Sequence, residues 1–224
     1  MESSNNRIAR LPVPRIGKAG CVECKYLTPR IFLSGFGPFG NVRRNPSGML
    51  VRALARDPQV RRWIAGVKVL PVEFDRCFRA LRPALRKSSP DALVCFGLNT
   101  TLRGIAIEMV ARNRNLLRGR AGKVVRKTII RNAPAMLPTR LPVRSMARSL
   151  RRAGYRCAYS RDAGGYVCNN LFFHVMHRLG TKGMPCGFIH IPAIGGKGWT
   201  RAGLVGAGRR IVRAVAESSL ERKA

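Results

Sequence analysis

Short apolar runs alternate along this chain with longer segments in which apolar residues recur at helical spacing. Runs of strand length and composition lie at 31–34, 67–72, 92–96, 105–110, 157–160 and 188–191. The helical segments lie at 46–56, 74–86, 143–152, 166–179 and 201–220. Strands that alternate with helices are typical of sheets whose strands run mostly parallel. The pattern therefore predicts α/β architecture: one three-layer domain with a mostly parallel, twisted sheet covered by helices on both faces.

The first 28 residues show no such period, and they are polar, basic and punctuated by Pro and Gly. We expect a flexible basic leader over 1–28 and the α/β domain over 29–224. No stretch approaches the roughly 18 apolar residues of a membrane span, and the start is not that of a secretory signal. Seven cysteines without disulfide-framework spacing favour a reducing compartment. These features predict a cytoplasmic protein that does not bind membranes.

The charge raises a separate question, because the chain carries a formal net charge of +33. Lys and Arg can neutralise phosphates, so nucleic acid is one candidate partner. The 43 cations are 34 Arg and 9 Lys, however, a ratio that GC-rich codon usage can also produce. Residues 109–161 hold 15 of the cations and no acid. If any segment contacts phosphate we expect this one, with binding that is weak and does not depend on sequence.

A glycine-rich turn follows the first predicted strand. Residues 35–40 read Gly-Phe-Gly-Pro-Phe-Gly, and Asn45-Pro46-Ser47 then opens a helix. Glycines allow a tight turn, and Phe36 and Phe39 can form an apolar wall for a ligand or can fill the core. The turn is not a phosphate loop of the form G-x-G-x-x-G, because position 38 is Pro.

A cysteine and a histidine form the strongest candidate for nucleophilic chemistry. Cys168 stands at the predicted start of a helix, where free amide donors and the helix dipole favour a thiolate. By itself such a cysteine is more often a small buried residue than a nucleophile. His190 ends a predicted strand 22 residues later, and the intervening helix would return it beside Cys168. His174 and His177, three residues apart, could in principle bind a metal, but no further ligand accompanies them.

Glu108 is the candidate that could orient the imidazole, and it is selected by elimination among ten acidic residues. It lies in an apolar run, where an isolated carboxylate is costly unless it is paired. Asp75 and other acids fall at the ends of elements, where capping or solvation explains them. A structural ion pair with an arginine remains an alternative for Glu108.

Taken in order, these segments resemble the pyroglutamyl peptidase I family of cysteine peptidases from about residue 30 to residue 217. The matching segments are Gly-Phe-Gly-Pro-Phe-Gly at 35–40, Asn-Pro-Ser at 45–47, Glu-Met-Val-Ala-Arg-Asn at 108–113, Ala-Gly-Gly-Tyr-Val-Cys-Asn-Asn at 163–170 and Gly-Phe-Ile-His-Ile-Pro at 187–192. Single motifs are weak, but the complete ordered set is specific.

The resemblance implies a function and a site. The function is removal of N-terminal pyroglutamate from peptides, with Cys168 as nucleophile, His190 as base and Glu108 as its orienting acid. The family pattern assigns a substrate-binding role to six further residues: Phe36, Phe39, Asn45, Arg118, Tyr166 and Val167. Phe36 and Phe39 would hold the ring and Arg118 would lie near the oxyanion. No metal or organic cofactor is implied, and a homo-oligomer is compatible with the sequence.

Two segments depart from the family pattern. Leu98-Asn99-Thr100 replaces the start of a Gln-Ala-Gly-Gly-Arg loop, and the segment at 118–122 lacks the acidic residues of its counterpart. Two rival hypotheses follow. The chain could be a family member whose activity is lost or altered, or it could be a basic nucleic-acid-binding protein.

Overall fold

The computed structural model describes residues 28–118, 124–195 and 198–222. The predicted leader over 1–28 lies outside the described residues except for its last position. The rest of the chain forms ten strands and five α-helices within these ranges. The strands are β1 (Ile31–Phe36), β2 (Ile64–Leu70), β3 (Ala92–Leu98), β4 (Ile105–Glu108), β5 (Val110–Arg112), β6 (Asn115–Arg118), β7 (Val124–Lys127), β8 (Met136–Pro138), β9 (Cys157–Ser160) and β10 (Cys186–Ile191). The helices are α1 (Pro46–Arg56), α2 (Arg76–Ser88), α3 (Val143–Arg152), α4 (Val167–Arg178) and α5 (Arg201–Glu221).

Six of the strands form one sheet in the order β2-β1-β3-β10-β4-β9. The first four run parallel to one another, whereas β4 runs antiparallel to β10 and β9 follows the direction of β4. The sheet is therefore mostly parallel, as the alternating pattern predicts. The reversal at β4 is not visible in that pattern, because a buried strand has the same composition in either direction.

Alternate residues of the central strands enter two cores, one on each face of the sheet. Ile31 and Leu33 pack under α1, α3 and α5, while Phe32 between them packs under α2 and α4. This is the period-two alternation of a strand buried on both faces. The three layers of the predicted architecture are thus present. None of the described helices is long and apolar enough to cross a membrane.

The predicted strand at 105–110 is interrupted. Main-sheet pairing ends at Glu108, and β5 begins at Val110 in a separate two-stranded sheet with β8. Met109 forms the junction, since its N–H donates to the Ser160 carbonyl and its own carbonyl accepts from Thr139. The β6–β7 hairpin forms a third small sheet. Sequence analysis did not predict β5–β8 as separate strands, because three- and four-residue pairings carry little periodicity.

Helix α1 lies unusually close to β1. A Cβ at Gly35 would overlap the backbone carbonyl of Ser47, and one at Gly48 would lie 2.5 Å from the Phe36 carbonyl oxygen. The Ser47 hydroxyl accepts a hydrogen bond from the Phe36 N–H at 2.9 Å. The glycine of the turn at position 35 is therefore required by the packing of strand against helix.

We predict that Gly35→Ala lowers the free energy of unfolding by about 1–3 kcal/mol or more, because backbone atoms cannot move aside as a flexible side chain can. The matched control is Gly37→Ala in the same turn, where the nearest atom to the new Cβ is 3.5 Å away. Urea denaturation of both variants measures the difference. Equal losses in the two variants would contradict the close-approach explanation.

Candidate active site

A cavity of about 490 Å³ opens at the carboxyl ends of the parallel strands. Strand ends at this edge of an α/β sheet are where ligands commonly bind. Fourteen residues line the cavity: Phe36, Phe39, Val42, Asn45, Val72, Leu98, Asn99, Thr100, Asp162, Ala163, Gly164, Tyr166, Cys168 and His190. The turn after β1, the loop after β3, the segment before α4 and the end of β10 therefore meet at one place.

His190 and Glu108 are a buried, hydrogen-bonded pair. The distance from His190 Nδ1 to Glu108 Oε1 is 2.8 Å, and the side chains are 6% and 2% exposed. The antiparallel register pairs His190 with Ala106, so Glu108 is the diagonal neighbour of His190 on the same face of the sheet. The reversed direction of β4 thus brings the carboxylate beneath the imidazole.

Cys168 completes a chain of three side chains. Burial lowers the pKa of His190, but hydrogen bonds to Cys168 and Glu108 and the negative charges that both can carry outweigh burial and raise this pKa to about 9. The imidazole is therefore protonated at neutral pH and can donate a proton. The geometry brings together the three residues that the sequence singled out.

The position of Cys168 follows from the start of α4. It is the second residue of the helix, so its N–H has no partner within the helix and can donate to a ligand. Gly164, with φ of 80°, turns the chain just before the helix. Asn169 anchors the same turn, because its side chain accepts from the Arg112 N–H and donates to the Arg112 and Arg114 carbonyls.

Space for the Cys168 sulfur is provided by a glycine on β3. A Cβ at Gly97 would lie 3.0 Å from Cys168 Sγ and 2.6 Å from the ring of Phe188. Burial raises the pKa of two further thiols, Cys77 and Cys95, to about 12 each and keeps both protonated.

The apolar wall of the cavity is the turn after β1. The side chain of Asn45 caps α1 by accepting from the Ser47 N–H and donates to the Gly37 carbonyl at 2.9 Å. Asn45 thus holds the turn that carries Phe36 and Phe39, and both rings line the cavity.

Three predicted substrate-binding residues remain, and only one of them, Tyr166, lines the cavity with its side chain in the part of the chain that the structure describes. Tyr166 is 54% exposed, lines the cavity and packs edge to face on Phe74 with ring centroids 5.2 Å apart. Val167 was expected to bind substrate, but it is 1% exposed and packs in the core beneath α4. The first residue of an amphipathic helix faces the sheet here, so Val167 does not line the cavity. The side chain of Arg118 lies outside the described residues.

A network that sequence analysis missed supports the opposite side of α4. Asp75 was attributed to capping or solvation, yet its side chain makes no capping bond to α2. Asp75 Oδ1 instead accepts from His174 Nε2 at 3.0 Å and from Asn170 Nδ2 at 3.1 Å. Burial alone would raise the pKa of Asp75, but these hydrogen bonds lower it. No group of three or more metal-ligating side chains occurs in the described ranges, and His174 is held by this carboxylate.

Asp162 is a cavity residue that was not among the candidates from the sequence. It lines the cavity, accepts from the Gly164 N–H at 3.0 Å and pairs with Arg114 at 3.1 Å. In the sequence, only its place immediately before Ala-Gly-Gly hints that its side chain could bond to the turn. The spacing of apolar residues carries no information about such a bond.

A thiol, an imidazole and a carboxylate linked in series beside an apolar cavity are the arrangement of a cysteine hydrolase on an α/β sheet. The sequence profile of the pyroglutamyl peptidase family matches residues 29–205. The chain is 37% identical over 171 residues to a pyrrolidone-carboxylate peptidase of Gloeobacter violaceus, covering 73% of this chain and 81% of that protein. It is 36% identical over 170 residues to its counterpart in Vibrio vulnificus, covering 74% and 79%.

Solved structures agree with this result. The pyrrolidone carboxyl peptidase of Thermococcus litoralis superposes with a TM-score of 0.77 at 27% identity, covering 88% of this chain and 96% of that one. Pyroglutamyl peptidase I of Bacillus amyloliquefaciens gives a TM-score of 0.74 at 28% identity, covering 85% and 98%. The chain belongs to the pyroglutamyl peptidase family of cysteine peptidases, as its motifs indicated.

We predict that one histidine titrates near pH 9 in the native protein and that Glu108→Gln lowers its pKa. The glutamine keeps the size of the side chain but removes the charge that stabilises the imidazolium. NMR titration of the ring resonances, assigned with His190→Gln, measures the change. An unchanged pKa in Glu108→Gln would contradict the pairing.

Proposed function

We propose that this chain is a cysteine exopeptidase that releases pyroglutamate from the N-terminus of peptides. The observation that carries the proposal is the hydrogen-bonded series Cys168–His190–Glu108 at a cavity lined by Phe36 and Phe39. Membership of the pyroglutamyl peptidase family supplies the substrate class.

The thiolate of Cys168 attacks the carbonyl carbon that links pyroglutamate to the next residue. The C–N bond then breaks, His190 donates its proton to the departing amine, and a thioester remains on Cys168. Water attacks the thioester with His190 as base, which releases pyroglutamate and restores the thiol. Protonation of His190 at neutral pH suits the step that expels the amine.

Glu108 holds the imidazole with Nδ1 toward the carboxylate, which leaves Nε2 for the thiol and the leaving group. The backbone N–H of Cys168, unpaired within α4, is the donor for the oxyanion. The family resemblance adds Arg118 to the oxyanion site, and that role stays a prediction.

The lactam ring would bind between Phe36 and Phe39, with Tyr166 at the mouth of the cavity. Asn45 acts through the turn that it holds, so we assign it a positioning role. The segment that departs from the family's Gln-Ala-Gly-Gly-Arg loop also lines the cavity, through Leu98, Asn99 and Thr100. Their side chains form the physical basis of the rival hypothesis, a family member with altered activity.

Oligomerisation and a cytoplasmic location stay predictions. Weak nucleic-acid binding is likewise separate from the proposed reaction, because the reaction needs only the cavity residues.

We predict that Cys168→Ala abolishes release of a fluorophore from a pyroglutamyl amide and that His190→Ala lowers kcat/KM by about 10²–10⁴-fold, the usual contribution of a general acid or base. Glu108→Gln should cost less, since orienting a base contributes less than supplying it. His177→Ala is the matched control for His190, because His177 stacks on Phe173 away from the cavity.

Two outcomes would contradict the assignment. One is turnover in Cys168→Ala, and the other is an equal loss in His177→Ala when circular dichroism reports a folded protein. Absence of turnover in the unmodified protein, with His190 still titrating near pH 9, would favour the rival hypothesis of lost activity.

We predict that the protein cleaves a pyroglutamyl amide at least about tenfold faster than a prolyl amide. The prolyl ring lacks the ring carbonyl, and its nitrogen is a protonated amine instead of a neutral lactam N–H. A lost hydrogen bond to a buried group alone costs on the order of 1–3 kcal/mol. Phe39→Leu should raise KM for the pyroglutamyl substrate more than it lowers kcat. Equal rates on both amides would mean that the ring carbonyl is not recognised.

A further inference from the structure

A groove of about 740 Å³ separates α1 from α5, and none of its lining residues belongs to the cavity described above. Its floor is formed by short apolar side chains, and its walls carry four arginines and one carboxylate. The groove is lined by Met49, Arg52, Ala53, Arg56, Asp57, Arg201, Ala202, Val205 and Arg209.

The single carboxylate is already neutralised. Asp57 is 4% exposed, and its Oδ2 accepts from Arg209 Nε at 2.6 Å while Oδ1 accepts from the Gln59 N–H at 3.0 Å. Asp57 and Arg209 therefore fix the two helices to each other. They leave no negative charge for the other arginines of the groove.

The other arginines of the groove have no partner among the residues that the structure describes. Arg52, Arg56 and Arg201 are exposed, and within the described ranges none of them makes an ion pair or a side-chain hydrogen bond. Arg52 and Arg56 are also one turn apart on α1, a spacing at which like charges destabilise a helix. An anion in the groove would relieve this repulsion.

The positive charge continues beyond the groove. A second depression shares Arg209 and adds Arg210 and Arg213. From Arg201 to Arg213 the basic residues of α5 extend over about 18 Å at 1.5 Å per residue. We call the six arginines at 52, 56, 201, 209, 210 and 213 the arginine strip. The two depressions meet at Arg209, so the strip offers room for more than one anion.

We propose that the arginine strip binds the phosphodiester backbone of duplex nucleic acid without reading its sequence. Guanidinium groups match phosphate oxygens in a two-point contact, which distinguishes them from lysine. A phosphodiester strand is a ridge with closely spaced charges, and the groove is complementary to it in shape and charge.

A duplex fits the strip better than a single strand does. Single strands are held largely by bases that stack on exposed aromatic rings. Tyr155 is the one aromatic residue among those that line the two depressions, and it already stacks on Trp199 with centroids 5.9 Å apart. The strip also differs from the 109–161 segment, which the sequence had favoured for phosphate contact on charge alone.

The test is fluorescence anisotropy with a labelled 20-base-pair DNA duplex titrated at several salt concentrations. The strip variant is Arg52→Gln, Arg56→Gln, Arg201→Gln and Arg210→Gln, which spares Arg209 because the buried Asp57 needs it. The matched control removes four exposed cations from the convex face of α2, by Arg79→Gln, Arg82→Gln, Arg86→Gln and Lys87→Gln. Both variants carry the same net charge.

We expect micromolar or weaker binding by the unmodified protein at physiological salt and tighter binding at low salt. The strip variant should lose at least tenfold in affinity at low salt. It should also flatten the plot of log affinity against log salt by up to about 3.6, since four arginines are removed and each phosphate contact contributes about 0.9 to the slope. The α2 control should stay within about twofold of the unmodified protein.

Other results would overturn the proposal. Equal losses in the two variants would mean that net charge acts without a site, and no binding at low salt would mean that the strip has no such partner. Tighter binding of a single strand of the same length would contradict the proposed preference for a duplex. Displacement of DNA by polyglutamate of equal charge, at equal concentration, would assign the groove to acidic polypeptides instead.

Discussion

The arrangement of this site depends on two ionisable side chains, Glu108 and His190, that lie side by side beneath the surface of the sheet. Taking either charge out of water alone would be costly, and removing one partner of such a pair leaves the other uncompensated. The neighbouring structure is consistent with that constraint. β4 runs against β10 and sets Glu108 diagonal to His190, and Gly97 leaves room for the thiol that meets the other side of the imidazole. Hydrogen bonds from the imidazole to Cys168 and to Glu108 together raise the pKa of His190 to about 9.

Much of the fold could be predicted because long periodic segments record which face is buried. Helices α1 and α3 begin and end at the same residues as the segments in which apolar residues recur at helical spacing. Cys168 and His190 were identified because they lie near the ends of a predicted helix and a predicted strand. The reversal of β4, the small sheets and the Asp75–His174 contact could not be predicted. They depend on chain direction and on contacts between residues far apart in sequence, such as the 99 positions that separate Asp75 from His174. Val167 was misplaced because the motif that contains it does not say which side of the helix turns inward.

The two faces of the sheet carry different chemistry. The face under α2 and α4 holds the cysteine, its histidine and the apolar cavity. Helices α1 and α5 cover the other face and present Arg52, Arg56 and Arg201, for which the described part of the chain offers no acidic partner. Part of the net charge of +33 is therefore concentrated in one groove, between α1 and α5. The groove between α1 and α5 and the cavity at Cys168 share no lining residue.

The central claim is that Cys168 carries the acyl group of the substrate during turnover. Acid quench of the unmodified protein within the first turnover of a pyroglutamyl amide, followed by proteolysis and mass spectrometry, tests it directly. We expect a pyroglutamyl thioester on the peptide that contains Cys168 and on no other peptide. Rapid release of the amine product with the acyl group on a different residue, or with no acylated peptide at any quench time, would contradict it.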